Sequence, residues 1–334
     1  MKRNRFTFIL AAMLLLLTGC GGQKAGSGET ASPAPDGTAS LSLEETASSA
    51  PGTVSFTDDL GREVEVAPPT RVAALIGSFA DIWCLAGGKD VLVATANDAW
   101  TSFDLNLGSG VADLGAVKEP NLEVLLAARP DLVIGSVSTE ADLELEPTLT
   151  QAGISVAYFD VDGFDDYLRM LEICTRLTGR PENYTLYGEN VAAQVEAAVA
   201  RQDGTAPRVL CMRATGSSCK VKGSEGTVLG EMLAALGCVN IADSDASLLE
   251  ELSLEAIIAA DPDYIFVALQ GSDPTKAMAT LEATLLSNPA WENLTAVREG
   301  RFHTMEQALY NLKPNARWGE AYEKLADILY PQGQ

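Results

Sequence analysis

From residue 71 onward the chain alternates short apolar runs with amphipathic stretches. Arg71-Val72-Ala73-Ala74-Leu75-Ile76 has strand length and composition, and the helical spacing of Phe79 to Ala86 stops at Gly87-Gly88. Val91 to Ala96 reads as the next strand. Asn121 to Ala128 reads as a helix halted at Arg129-Pro130, because a residue before proline is pushed out of the helical region. Asp131 to Ile134 then gives a strand, Ala141 to Ala152 a helix, and Ile154 to Phe159 a strand. Between Phe164 and Gln202 the helical period is sustained, broken only near Gly179-Arg180-Pro181. Alternation resumes with strands at Arg208 to Arg213, Asp263 to Leu269 and Arg301 to Met305. Helices are expected at Thr227 to Leu236, Ser253 to Ala260, Thr275 to Leu286 and Ala316 to Leu329. Strands alternating with helices predict parallel sheets covered on both faces, hence an α/β fold of two Rossmann-like lobes.

One unit occurs twice without a gap. Asn121-Leu122-Glu123 through Pro130-Asp131-Leu132-Val133-Ile134 matches Ser253-Leu254-Glu255 through Pro262-Asp263-Tyr264-Ile265-Phe266. Both read polar-Leu-Glu, apolar helix, Pro-Asp, apolar strand, which predicts two related lobes.

The first 52 residues follow a different pattern. Lys2, Arg3 and Arg5 precede an apolar run from Phe6 to Leu17, which closes on Leu17-Thr18-Gly19-Cys20. At about a dozen residues the run is shorter than the ~20 a spanning helix requires, and the small residues before the thiol fit a lipoprotein signal. Residues 1–19 are expected to be removed and Cys20 to carry lipid, leaving the body outside the cytoplasm. Residues 20–52 are rich in Gly, Ser, Thr, Ala and Pro, with Leu41 and Leu43 as the sizeable apolar side chains, so they cannot bury enough surface to fold. They read as a disordered tether reaching about 30 Å. The expected plan is an N-terminal lobe over 53–163, a helical connector over 164–205 and a C-terminal lobe over 206–334.

Charge and cysteines narrow the function. The formal net charge is −23, and removing Lys2, Arg3 and Arg5 with the signal takes it to −26. No basic stripe is available for a nucleic-acid backbone. Five cysteines remain after Cys20, at irregular spacing, so they form no disulfide framework and no zinc motif. A Cys211–Cys219 bridge stays open.

Several markers resemble the lipid-anchored substrate-binding proteins of ABC importers for iron-siderophores, haem and cobalamin. They are Thr57-Asp58-Asp59-Leu60-Gly61-Arg62, Pro120-Asn121-Leu122-Glu123 leading to Arg129-Pro130-Asp131, and Gly223-Ser224-Glu225-Gly226-Thr227 before Leu236-Gly237-Cys238-Val239-Asn240. Leu254-Glu255 leading to Asp261-Pro262-Asp263, and the closing Asn315 to Leu329 helix, complete the set. The resemblance runs from Phe56 to Tyr330. It implies two lobes joined by a rigid helical connector, a ligand cleft between them, and a monomer that catalyses nothing and needs no cofactor. It further implies delivery of the ligand to a permease dimer with its ATPase, docked through one glutamate per lobe, here Glu123 and Glu255. Each also has a local role at a helix start, where a carboxylate complements the dipole. At Phe79-Ala80-Asp81-Ile82 the chain departs from the family's usual Thr-Glu, with Asp81 at the expected cleft floor.

In open α/β sheets ligands sit at the C-terminal ends of the strands. That rule selects Ser78, Phe79, Asp98, Trp100, Ser136, Arg213, Lys220, Gln270 and Tyr310 as cleft residues. Trp100 and Tyr310 offer flat faces for an aromatic or macrocyclic ligand. Arg213, Lys220 and Lys222 form a local basic group suited to the anionic oxygens of a ferric chelate or the propionates of a tetrapyrrole. Alternatively these lysines belong to a solvated hairpin and Trp100 to the core. His303 is the sole histidine, too few for the imidazole-rich metal site of a related branch, and is read as a surface or locally bonded strand residue. No Gly-x-Ser-x-Gly elbow accompanies it, and Gly87-Gly88-Lys89-Asp90 lacks the rest of a phosphate loop. Asp98 with Asp104, or Asp160 with Asp162, carry little weight as acid/base pairs in so acidic a chain. The leading reading is capture of a ferric siderophore, with haem or a corrinoid next and an exported enzyme on the same fold as the alternative of another class.

Overall fold

A computed structural model describes residues 52–332, residues 251 and 272 excepted, all within the unit Ser48–Gln334. The signal, Cys20 and nearly all of the tether lie outside the described residues.

The first lobe begins with an antiparallel hairpin of β1 (Val54–Thr57) and β2 (Glu63–Val66). Its turn is tied by Asp58, whose buried carboxylate accepts hydrogen bonds from the backbone N–H of Leu60 (3.1 Å) and Arg62 (3.0 Å) and from the Arg62 guanidinium (2.7 Å). Five parallel strands follow: β3 (Val72–Ala74), β4 (Leu92–Thr95), β5 (Ala112–Asp113), β6 (Leu132–Ser136) and β7 (Ser155–Phe159), in the spatial order β5-β4-β3-β6-β7. Both β3 and β6 are buried along their whole length, as expected of strands covered on both faces. The order reverses between β3 and β6, so a crevice opens at their C-terminal ends.

The second sheet holds β8 (Arg208–Ala214), β9 (Cys219–Lys222), β10 (Val239–Asn240), β11 (Tyr264–Leu269) and β12 (Phe302–Met305). Parallel pairing gives the order β10-β8-β11-β12, and β9 folds back antiparallel on β8. Here the order reverses between β8 and β11.

Between the sheets, helices span Phe164–Thr178, Glu182–Tyr184 and Asn190–Val199, with a π-helical turn at Thr185–Glu189. Gly179 ends the first of them at φ 68°, a left-handed position that glycine adopts without steric cost. The last helix, Trp318–Leu329, packs on Asn190–Val199. Arg201 fastens that contact by donating to the carbonyls of Ala326 (3.0 Å) and Tyr330 (2.8 Å) and to Asp327 (2.7 Å). Phe164 meets Trp318 and Tyr322 edge-on at 5.9 and 6.4 Å between ring centroids. One core cluster therefore runs from the first sheet through these helices into the second, while one smaller cluster lies on the other face of each sheet.

The repeated sequence unit is repeated in structure. Asn121 and Ser253 each cap a helix, accepting from the N–H of Val124 (3.1 Å) and Ala256 (3.2 Å). Arg129 and Asp261, eight residues on in each copy, both leave the helix at positive φ, 47° and 39°. Asp131 and Asp263 then bond to the start of the neighbouring strand in the same way, donating their N–H to the carbonyls of Arg71 and Arg208, both at 2.8 Å. Glu123 and Glu255 are exposed in the first turns of these helices.

Candidate ligand cleft

The segment that precedes the last helix meets the first lobe at the C-terminal end of β3. Asn315, fully buried and at φ 51°, donates its side-chain amide to the carbonyl of Ser78 (2.9 Å) and to Asp81 (2.8 Å), so the chain returning from the second lobe is bonded to the first helix of the first lobe. Asp81 is held above the ordinary carboxylate range by burial, against the Asn315 amide. The departure at Asp81 thus serves contact between the lobes. Around this contact the side-chain amide oxygen of Asn315 and the Ser78 hydroxyl are buried without a hydrogen-bond partner.

On the first lobe, Gly77 opens the helix Gly77–Leu85 and gives its N–H to Asp98 (2.8 Å). A Cβ on Gly77 would sit 2.6 Å from the nitrogen of Ala99, so the close approach demands glycine. Burial raises Asp98, opposed by the N–H of Gly77. Trp100 follows on the short helix Asp98–Thr101 and is half-exposed. Ser136, buried at the end of β6, shares a hydrogen bond with the hydroxyl of Ser138 (2.9 Å) and gives its N–H to the buried Asp142 (2.8 Å).

On the second lobe, the β8–β9 register places Arg213 opposite Lys220 and Cys211 opposite Lys222. Because side chains alternate along a strand, Arg213, Lys220 and Lys222 share one face, while Met212, Ala214, Cys219 and Val221 enter the core on the other. Like charges directly opposite each other destabilise a strand pair. Among the described residues no side chain pairs with any of these three cations. Arg213 and Lys222 are half-buried, and burial lowers the pKa of both, with Arg213 and Lys220 adding to the effect at Lys222 and Asp162 opposing it at Arg213. Gln270 continues from β11, its N–H on the carbonyl of Ala214 (2.8 Å).

Lys313 was not anticipated. It lies two residues before Asn315, and burial lowers its pKa against the opposing field of Asp162 and Asp160. Those two carboxylates close β7, and burial raises Asp160, reinforced by Asp162, Asp166 and Asp59. Asp162 also faces the second lobe directly, 3.9 Å from where a Cβ on Gly226 would lie.

Two expected cleft residues belong to the core. Phe79 is fully buried, edge-on to Phe159 at 6.4 Å. Tyr310 is 3% exposed, its hydroxyl donating to the carbonyl of Ala321 (3.1 Å), so it presents no free face for stacking. Its remaining edge borders a separate cavity of about 370 Å³ with His303, Lys324 and Asp327. His303 itself stacks on Phe266 at 5.5 Å. Another cavity, of about 230 Å³, lies between Arg62, Thr150 and Val156. Cys211 and Cys219 are free, as are Cys84, Cys174 and Cys238.

A family model described as periplasmic binding protein matches residues 72–309, a span holding both sheets and the helices between them. The chain belongs to the periplasmic binding protein family. Among relatives of this periplasmic binding protein, the Fe(3+)-citrate-binding protein YfmC of Bacillus subtilis (strain 168) is 25% identical over 260 residues, 75% of this chain and 77% of its own. The apo form of the periplasmic heme-binding protein RhuT from Roseiflexus sp. RS-1 superposes with a TM-score of 0.62 at 24% identity, over 78% of this chain and 97% of its own. SirA of Staphylococcus aureus, solved complexed with staphyloferrin B, gives a TM-score of 0.64 at 20% identity, over 83% and 97%. These two solved structures share the fold. Within it, the combination of a basic hairpin on one lobe and an acidic strand end on the other describes the periplasmic binding protein at hand.

Proposed function

We propose that this chain is an extracytoplasmic substrate-binding protein, lipid-anchored through Cys20, that captures a metal chelate between its lobes and hands it to an ABC permease dimer with its ATPase. A ferric siderophore is the first ligand class. The observation that carries the reading is the face shared by Arg213, Lys220 and Lys222, three cations without a side-chain partner among the described residues, at the strand end where ligands of such sheets bind. Ion-pair geometry left unused by the protein is available to an anionic ligand, and guanidinium suits bidentate carboxylate or chelate oxygens. The similarity to a relative named for Fe(3+)-citrate supports the same choice. Capture is passive: Ser136 and Gln270 line the strand ends, Trp100 offers a half-exposed indole, and no bond of the ligand is broken. Haem or a corrinoid is the second reading, favoured by the flat face of Trp100 and by the RhuT likeness.

One feature supports delivery. Glu123 and Glu255 stand exposed at equivalent positions of the repeated unit, as paired charges meeting basic surfaces on the two halves of a permease would require. Among the described residues no helix is long and apolar enough to cross a membrane. Fluorescence titration against ferric siderophores, haemin and cobalamin tests the ligand class. A stacked aromatic contact contributes ~1 kcal/mol beyond its buried area, so Trp100→Ala is expected to weaken binding several-fold. Absence of saturable quenching by all three classes would remove the assignment.

A further inference from the structure

The cleft divides its charges by side. On the second lobe Arg213, Lys220 and Lys222 share a face. At the end of β7, Asp160 and Asp162 are half-buried, and neither carboxylate has a hydrogen bond or ion pair among the described residues. Lys313 lies within the electrostatic reach of both groups, of Asp162 and Asp160 on one side and of Arg213 on the other. We propose that the cleft selects chelates carrying a cationic group as well as anionic oxygens, the basic hairpin taking the anionic end and the Asp160–Asp162 loop the cationic end. This rests on the capture reading above and narrows its substrate class.

Several observations carry the division. The acidic loop is fixed from behind. Asp59 accepts from the N–H of Asp160 at 2.6 Å and is gripped by Arg169 at 2.7 Å. Asp166 accepts from the N–H of Gly163 at 3.1 Å. Arg169 is therefore committed to Asp59 and Asp166, and Asp160 and Asp162 feel Lys313 and Arg213 as counter-charges without an ion pair to either. Glu231 and Glu225, which belong to the second lobe beyond β9, lie within the field of Asp162 and Asp166, so the acidic region reaches across from the end of β7. Half-buried charges of opposite sign that do not close into ion pairs keep their unmet solvation, and a ligand bearing both signs satisfies both walls at once. A purely anionic chelate gains at the hairpin and is repelled by the acids, so discrimination comes from a repulsive element as well as an attractive one. Independently of the charges, the Ser78 hydroxyl and the Asn315 side-chain amide oxygen are buried without hydrogen-bond partners at the contact between the lobes.

The test uses a matched pair of probes, the ferric complex of citrate and that of citrate bearing one 2-aminoethyl amide, which adds an ammonium. Binding to the purified lobed protein is measured by intrinsic fluorescence. The aminoethyl chelate is expected to bind at least ten-fold tighter, and Asp160→Asn/Asp162→Asn is expected to bring the two affinities together, chiefly by weakening the aminoethyl chelate. Asp162→Asn alone gives the same direction should the double variant melt early. Equal affinities in the unaltered protein, preference for citrate, a preference that survives both variants, or binding of haemin or cobalamin with neither chelate would each overturn the charge division while leaving capture intact. Failure to bind the chelates, haemin and cobalamin alike would instead remove capture itself.

Discussion

Asp142 is fully buried with one carboxylate oxygen on the N–H of Ser136 and the other without a partner, an arrangement that favours the neutral acid. Burial pushes its pKa up to about 7, against the Ser136 hydrogen bond. A folded-state pKa above the unfolded one means the native state holds the proton more tightly. Asp142 then costs nothing below about pH 4, and its ionisation draws stability away as pH rises to about 7, by an amount on the order of a few kcal/mol. Asp142→Asn keeps an acceptor for Ser136 and cannot ionise, so its melting temperature should exceed that of the unaltered protein by more at pH 8 than at pH 5. Parallel pH dependence of the two proteins would refute this assignment. The residue scale is also where sequence reading failed most. Phe79 and Tyr310 stand at strand ends, yet the helical turns they occupy point them inward. Lys313 belongs to a short polar loop with no period of its own, and its place beside Asp160 and Asp162 comes from the chain's return to the first lobe. No local pattern encodes that return.

At the scale of elements, the long periodic segments were legible. The helix expected at Ala141 to Ala152 spans Glu140–Gln151, and the strand expected at Ile154 to Phe159 spans Ser155–Phe159. What escaped notice was short or polar: β5 and β10 have two residues each, and β9 reads Cys-Lys-Val-Lys, whose charged face is legible as a strand only once β8 lies beside it. The repeated unit was legible because its Pro-Asp step carries a backbone function. Asp131 accepts from the N–H of Thr70 (2.8 Å), the hydroxyl of Thr70 (2.6 Å) and the N–H of Arg71 (3.0 Å), whereas among the described residues the Asp263 carboxylate accepts only from the N–H of Arg208 (2.8 Å). Hydrogen bonds to a charged acceptor are worth ~1.5–3 kcal/mol when buried and less at a surface such as this. Asp131→Ala is therefore expected to lower the melting temperature by several degrees and more than Asp263→Ala does. Equal losses would show that the twin aspartates act through helix termination rather than through the strand start.

At the scale of the whole molecule, the two lobes share one core through the helices between the sheets; Asn315 bonds the returning segment to the first lobe, and Arg201 bonds the last helix to the helices between the sheets. Such joints favour a largely preformed cleft over wide opening. Docking can then be separated from capture. Charge complementarity sets encounter and orientation more than affinity, and like charges brought together cost several kcal/mol. Glu123→Lys/Glu255→Lys should leave ligand affinity unchanged and stop uptake into vesicles holding the cognate permease; normal uptake would place docking elsewhere, and lost affinity would place these glutamates in the cleft. The proposed capture turns on the basic hairpin, and the most direct measurement is the affinity of the purified protein for its tightest-binding ferric chelate before and after Arg213→Gln. The expected result is saturable binding weakened at least ten-fold by that change, equivalent to about 1.4 kcal/mol, with the fold intact by circular dichroism. Undiminished binding by the Arg213→Gln protein would contradict the assignment of the hairpin as the anion-holding wall.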